Sequence, residues 1–420
     1  MLTFAAASET DICSRSRIRD RHIPLQENTQ IVRVMKEIYL DNSATTRCYE
    51  EVADIVRKTM LVDYGNPSSM HRKGVEAEQY LRTAQEQIAA TMRVKPSEIF
   101  FTSGGTESNN WALFGTAQVK KRAGKRIITT EIEHSAIGEP MKKLADLGYD
   151  IVRIPVDAGG RVRMDELAEA LTKDTILVSV MMVNNEIGTV EPVAEIGKLV
   201  RKSCPYAYFH VDAIQAYGKY RIYPKRMNID MLSVSGHKIH GPKGSGFLYV
   251  DSRCRIDPII YGGGQQNGMR SGTDNVPGAA GLGLAAEMIY KDLDDHVEQM
   301  YRLKEKLAAG LKELPDVRIY GPANLREGAP NILNASFIGV RSEVLLHTLE
   351  DRGIYVSAGS ACSSHHRSGS ATMTAIHANK AEMESSLRFS FSEETTEEEI
   401  DTTLAVLREV LPQLRKFVRM

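Results

Sequence analysis

Lys238 sits in Ser235-Gly-His-Lys-Ile-His-Gly-Pro-Lys-Gly244, directly after an apolar run at 229–234. A lysine at the end of a buried strand is desolvated, so its amine holds a proton less tightly and can condense with an aldehyde. Other segments offer complementary chemistry. Phe101-Thr-Ser-Gly-Gly-Thr-Glu-Ser-Asn-Asn110 closes a strand and opens a helix. Its small residues would bare backbone N–H groups at the positive start of the helix, a ready site for a phosphate. Asp212 ends the apolar run Phe209-His-Val-Asp, and His134 stands between a strand and a helix, where an imidazole could stack or move a proton. Arg388, in Ser386-Leu-Arg-Phe-Ser390, lies inside a strand, a costly place for a cation without a carboxylate to grip. Cys362 sits among small residues in Val356-Ser-Ala-Gly-Ser-Ala-Cys-Ser-Ser-His-His366, which suits an accessible nucleophilic thiolate better than packing.

Taken together, these segments resemble the cysteine desulfurases of the NifS/IscS type, within the class V aminotransferases. The resemblance runs from about Ile38 to about Ile400 with the motifs in the family's order. It implies a pyridoxal 5'-phosphate (PLP) enzyme of fold type I, with a mostly parallel large-domain sheet and a smaller α+β domain. It implies that Lys238 carries the cofactor, that Asp212 pairs with its ring nitrogen, and that His134 lies over its ring. Gln215 and Asn185 would contact the ring substituents, and Gly105, Thr106, Ser235 and His237 would cup the phosphate. Arg388, with Asn42 and Asn185, would bind the substrate carboxylate. Thr273, in Gly268-Met-Arg-Ser-Gly-Thr273, would reach the cofactor of a second subunit, making a homodimer. The implied reaction converts L-cysteine to L-alanine, leaves a persulfide on Cys362, and passes the sulfur to an acceptor such as an iron–sulfur scaffold or a tRNA-thiolation system. Selenocysteine lyase and transaminase activities would use the same lysine, and a non-enzymatic scaffold would need none of these groups. The run after Cys362 departs from the family's pattern, which leaves the acceptor open.

These groups need a scaffold that brings strand ends together. From residue 99 to 250 short apolar runs alternate with helical spacing, a pattern that implies parallel strands covered by helices, with ligands at the carboxyl ends. A helical stretch over about 278–314 leads to a second unit with strands near 317–320, 332–336 and 387–391. The final helix starts at Thr396, where Glu399 completes a capping box. The expected domains are 35–290, binding the cofactor, and 291–420, carrying the cysteine loop. Residues 1–34, with alternating Arg15, Arg17, Arg19 and Arg21, read as a disordered or non-native extension. Gly281-x-Gly283-x-x-Ala286 imitates a dinucleotide fingerprint, but no strand precedes it.

Composition narrows the class further. The chain has 420 residues, 42% hydrophobic and 25% charged, which suits a globular protein of two domains or one large one. A net charge of −1 argues against a broad nucleic-acid-binding surface. No apolar run is long enough to span a membrane. Cys13, Cys48, Cys204, Cys254 and Cys362 make no CxxC pair, so free thiols in a reducing, cytoplasmic setting are expected. Cys362, His365 and His366 lie close together but lack a regular zinc spacing, so no metal site is assigned.

Overall fold

The computed structural model describes residues 37–358 and 370–416. The readings of residues 1–34 and of Cys362, His365 and His366 therefore lie outside the described residues. The chain opens with β1 (Ile38–Tyr39), α1 (Glu50–Leu61) and α2 (Arg72–Met92). The alternating region is β2 (Ile99–Thr102), α3 (Gly105–Lys120), β3 (Arg126–Thr130), α4 (Ser135–Asp146), β4 (Asp150–Ile154) and α5 (Met164–Ala170). It continues through β5 (Thr175–Met181), α6 (Val193–Ser203), β6 (Tyr208–Asp212), α7 (Pro224–Met227), β7 (Met231–Ser235) and β8 (Gly246–Val250).

These seven strands form one sheet in the order β2-β8-β7-β6-β5-β3-β4. The five from β7 to β4 are parallel, while β8 runs antiparallel to both β7 and β2. The link from β7 to β8 holds no crossover helix, so it can only fold back antiparallel. Side chains alternate between two apolar layers. Phe209, Val211, Leu232, Val234, Phe247 and Tyr249 face a core that also holds Val52 of α1, Ile88 of α2 and Leu282 from the first long helix after β8. Leu177, Met231 and Leu248 face Trp111, Leu113, Ile137 and Met141 of α3 and α4. A sheet covered on both sides needs apolar residues at both parities, which is why these strands read as unbroken hydrophobic runs.

The expected single helix at 278–314 is two, α8 (Val276–Lys291) and α9 (Leu293–Lys312), broken at Asp292 (φ −118°, ψ 32°). α8 packs on α1 and α2, and α9 on the C-terminal helix, so the two halves serve different cores. Gly283 lies so close to Ala84 that an added Cβ would meet its Cα at 2.5 Å; this glycine packs helices together and has no dinucleotide-binding role. Next come β9 (Val317–Tyr320), β10 (Ile332–Phe337), α10 (Ser342–Glu350), β11 (Ile354–Tyr355) and β12 (Ser357–Ala358). The chain ends with α11 (Ala371–Ala375), α12 (Lys380–Glu384), β13 (Ser386–Ser390) and α13 (Glu397–Lys416). A four-stranded sheet, β12-β13-β10-β9, packs with α9, α10 and α13 around Leu303, Phe337, Phe389 and Leu407. The Thr396–Glu399 capping box forms at the start of α13, with bonds of 2.9 and 3.3 Å. β1 pairs with β11, and Asp41 bridges to Ser390, so the segment after β1 runs between the two sheets. Among the described residues no helix is long and apolar enough to cross a membrane.

Candidate active site

β2, β3, β5, β6 and β7 point the same way, so the turns at their carboxyl ends meet along one edge of the sheet. Lys238 leaves β7 through a single 3-10 turn, Gly236–Lys238. Its Nζ donates to the carbonyl oxygens of Ser43 and, at 2.8 Å, Ala44. These contacts bring the segment after β1 onto the amine, a contact across almost 200 residues that no local pattern reveals.

Asp212, the last residue of β6, is 4% exposed. Its Oδ2 accepts from Asn109 Nδ2 at 2.7 Å and its Oδ1 from the Ile214 amide at 3.0 Å. Burial pushes its carboxyl upward, while these two donors and the positive field around Lys238 pull the other way. Both donors are neutral. A carboxylate this deep gains most from a cation beside it, and a protonated ring nitrogen meets that need. Beneath it, His210 bridges Ser179 Oγ and Ser233 Oγ, each at 2.9 Å, tying β5, β6 and β7 together.

His134 caps α4, its Nδ1 accepting from the Ala136 amide at 3.1 Å. This bond assigns the hydrogen of the neutral ring to Nε2. Burial lowers its pKa below the ordinary value, with Asp212 opposing and Lys238 reinforcing the shift. The ring is thus a neutral donor at Nε2.

A phosphate fits the opposite end. Gly104 takes φ 146° at the start of α3, which has no capping side chain, so its first amides lack intrahelical acceptors. A Cβ on Gly105 would fall 2.1 Å from Ile214 Cδ1, so a larger residue there would have to displace the Ile214 side chain beside the Asp212–Gln215 turn. Ser235 Oγ lies 3.5 Å from where Gly104 would carry a Cβ, and exposed Thr106 sits in the first turn. His237 Nδ1 contacts Thr45 Oγ1 at 3.2 Å, and burial, with the nearby Lys238 charge, pushes its pKa down to about 4. An uncapped helix terminus beside a serine and a neutral imidazole suits an anion. The residues present therefore fit PLP at its aldehyde, ring nitrogen and phosphate ends.

Arg388 occupies the middle of β13 and is 5% exposed. One terminal nitrogen donates to the Asn185 carbonyl at 2.8 Å and the other to Asp41 Oδ1 at 2.8 Å. Its Nε is buried and has no hydrogen-bond partner among the described residues. Asn42 differs from expectation: Nδ2 donates to both Tyr39 O (3.1 Å) and Ser390 O (3.0 Å), which uses both of its amide hydrogens inside the fold. Gln215 spends one amide hydrogen on Ser43 O at 3.0 Å. Thr273 is exposed, in a loop pinned to the rest of the chain by Gln266 on Phe101 (2.7 and 3.0 Å) and Arg270 forked onto Glu107 (2.9 and 3.2 Å).

Sequence reading missed several partners. Asn109 sits one turn into α3 among buried residues, a polar group on an apolar face, and that mismatch was the available signal. Asp41, and the partners of the Asn184–Glu186 turn, where Asn184 Nδ2 donates to Thr372 Oγ1 and Glu186 Oε2 accepts from Ser370 Oγ, become visible only through contacts far apart in sequence.

Residues 38–403 match the family described as Aminotransferase class-V. The cysteine desulfurase IscS of Clostridium botulinum is 40% identical over 382 residues, covering 91% of this chain and 96% of the relative. A solved NifS-like protein superposes with a TM-score of 0.85 at 38% identity, covering 90% of this chain and all of the other. The structure of SspA in complex with cysteine gives 0.75 at 31% identity, covering 86% of this chain and 100% of the other. The chain belongs to the class V aminotransferase family and, within it, to the cysteine desulfurases of the NifS/IscS type.

Proposed function

We propose that this protein takes sulfur from L-cysteine, leaves L-alanine, and carries the sulfur as a persulfide on Cys362. The observation that carries the substrate class is Arg388. A buried guanidinium whose Nε has no partner among the described residues suits the carboxylate of an α-amino acid. Family membership makes the enzyme PLP-dependent, and the bound cofactor supplies an electron sink for the substrate α-carbon.

Lys238 would hold that group, Asp212 would face its ring nitrogen, His134 its face, and Gln215 and Asn185 its ring substituents. Gly105, Thr106, Ser235 and His237 would receive the phosphate, and Thr273 of one protomer would complete the site of its partner. Lys238 Nζ, freed by substrate, moves the proton at the α-carbon. Arg388, helped by Asn185, fixes the carboxylate so that this proton faces the amine. Asn42 supports the role indirectly, bracing the strand beside Arg388. His134 acts as a donor through Nε2–H. The Cys362 thiolate attacks the substrate sulfur; an S–S bond forms, the S–Cβ bond breaks, and the carbon takes a proton to become alanine.

The homodimer is supported by apolar side chains that one protomer leaves in water: Met60 (60% exposed), Leu61 (63%), Tyr64 (69%) and Met70 (100%). We assign residues 35–290 to the large domain and 291–420 to the small one. An iron–sulfur scaffold or a tRNA-thiolation protein is the sulfur acceptor, and free Cys48, Cys204 and Cys254 support a reducing, cytoplasmic setting.

The test compares the wild type with Cys362→Ala, assaying alanine and persulfide from L-cysteine while recording the cofactor's visible absorbance. The reading requires both products from the wild type, and a variant that keeps the cofactor but forms no persulfide. A wild type that binds PLP and releases no alanine sinks it and points to amino-group transfer.

A further inference from the structure

Two residues beyond Lys238, His240 adopts a left-handed backbone (φ 61°) while only 1% exposed. A side chain bearing Cβ resists that conformation, so its neighbours must hold it there. They do so from three directions. His240 Nδ1 lies 2.7 Å from the Arg47 carbonyl, and Nε2, which has no aligned hydrogen-bond acceptor among the described residues, lies within ion-pair distance of Glu393 Oε1 at 3.2 Å. The Tyr49 ring stacks on the imidazole, with centroids 4.4 Å apart and planes 12° off parallel, and the Tyr49 hydroxyl donates to the same Glu393 oxygen. The backbone closes the loop: the His240 amide donates to Thr46 Oγ1 at 2.8 Å, and the Tyr49 amide to the His240 carbonyl at 3.1 Å.

The cluster touches Lys238 on both sides. The Thr46 amide and Oγ1 donate to the His237 carbonyl at 2.9 and 3.0 Å, and Lys219 Nζ, 6% exposed, donates to the Lys238 carbonyl at 3.3 Å. Thr46 also continues the segment whose Ser43 and Ala44 carbonyls receive Lys238 Nζ. Glu393 lies just past β13, the strand of Arg388, and its backbone carbonyl accepts from Gln299 Nε2 at 3.2 Å. Its carboxyl is held well below the usual range: the His240 contact, the Lys219 charge and the Tyr49 bond outweigh burial, which acts in the opposite sense.

We propose that Glu393 is a positioning residue for the reaction: by clamping His240 and Tyr49 it fixes the strained turn behind Lys238 and so the height of the lysine over the site. This rests on the reading that Lys238 carries PLP. The carboxylate grip is built separately, from Arg388, Asp41 and Asn185, so losing Glu393 disturbs the lysine more than substrate binding.

The experiment uses full-length, PLP-loaded protein and two variants, Glu393→Gln and the milder Tyr49→Phe. The visible circular dichroism of the Lys238-bound cofactor reports its orientation independently of turnover. The expected result for Glu393→Gln is a clear change in that band, with kcat down about 10- to 100-fold and the cysteine KM within about threefold. Tyr49→Phe should fall between it and the wild type. Lower melting temperatures with an unchanged dichroic band and kcat within about threefold would overturn the proposal, leaving the cluster as a brace of the fold. If Glu393→Gln does not fold, Tyr49→Phe decides by the same criteria. A wild type that binds PLP but yields no alanine would sink only the desulfurase reading, because the dichroism comparison still tests the positioning role.

Discussion

Replacing Arg388 by lysine keeps the charge and removes the planar fork. Arginine offers five N–H donors in one plane and lysine three on a single nitrogen. In the protein two of the five are spent, on Asn185 O and Asp41 Oδ1, and Nε is unused. A substrate carboxylate adds two acceptor oxygens to the two already present, and one ammonium cannot serve all four at this depth. The variant should therefore lose one or two charge-assisted hydrogen bonds, each worth about 1.5–3 kcal/mol. Allowing for partial replacement by water at a site that substrate must enter, the net loss is about 2–4 kcal/mol, or about 30- to 700-fold in kcat/KM. Most of it should fall on KM, since the carboxylate is held equally before and during bond breaking. Alanine release measured over a range of cysteine concentrations gives the split, and an unchanged cofactor absorbance shows that the Lys238 end is intact. A kcat/KM within about threefold of wild type, or a loss confined to kcat, would refute this role for Arg388.

Two further substitutions probe the groups on β6. Asp212→Asn removes the buried charge but keeps the shape that Asn109 and Ile214 hold; kcat should drop about 100-fold or more while the protein still binds PLP, and near-wild-type turnover would remove Asp212 from the site. His210 is fully buried, and burial pushes its pKa down from the ordinary 6.5 to about 3. The unfolded chain therefore binds its proton first as pH falls, so this contribution to stability is complete above about pH 6.5 and lost progressively toward pH 3. Denaturant unfolding should show the wild type losing about 2–3 kcal/mol more than His210→Gln between about pH 6.5 and 4.5, at about 1.4 kcal/mol per pH unit for one proton. Parallel pH slopes for the two proteins would contradict that assignment.

Motifs confined to a few consecutive residues were legible without coordinates. The Lys238 run, the Gly104–Gly105 turn and Asp212 at a strand's end each declare themselves locally, because a strand end, a tight turn and a helix start have short-range signatures. The Thr396–Glu399 cap was equally plain. The direction of β8 was not, since apolar alternation reports burial and leaves orientation open; the short connection after Lys238 decided it. Nor was the break at Asp292, where no glycine or proline interrupts the pattern and the packing of α8 and α9 into different cores divides the helix.

What the sequence by itself determined is the inventory: an amine for an aldehyde, a bed for a phosphate, a carboxylate, a guanidinium and a thiol, in the order of one family. Tertiary structure alone decided which partners each would keep. Arg388 meets Asp41 from across 347 residues, Asp212 meets Asn109 across 103, and Glu393 reaches Tyr49 across 344. Asn42 turned out to spend both amide hydrogens on the fold. Hydrogen bonds and ion pairs act over a few ångströms in space, whatever the separation along the chain, so the protonation and freedom of each group depend on neighbours that only folding brings together.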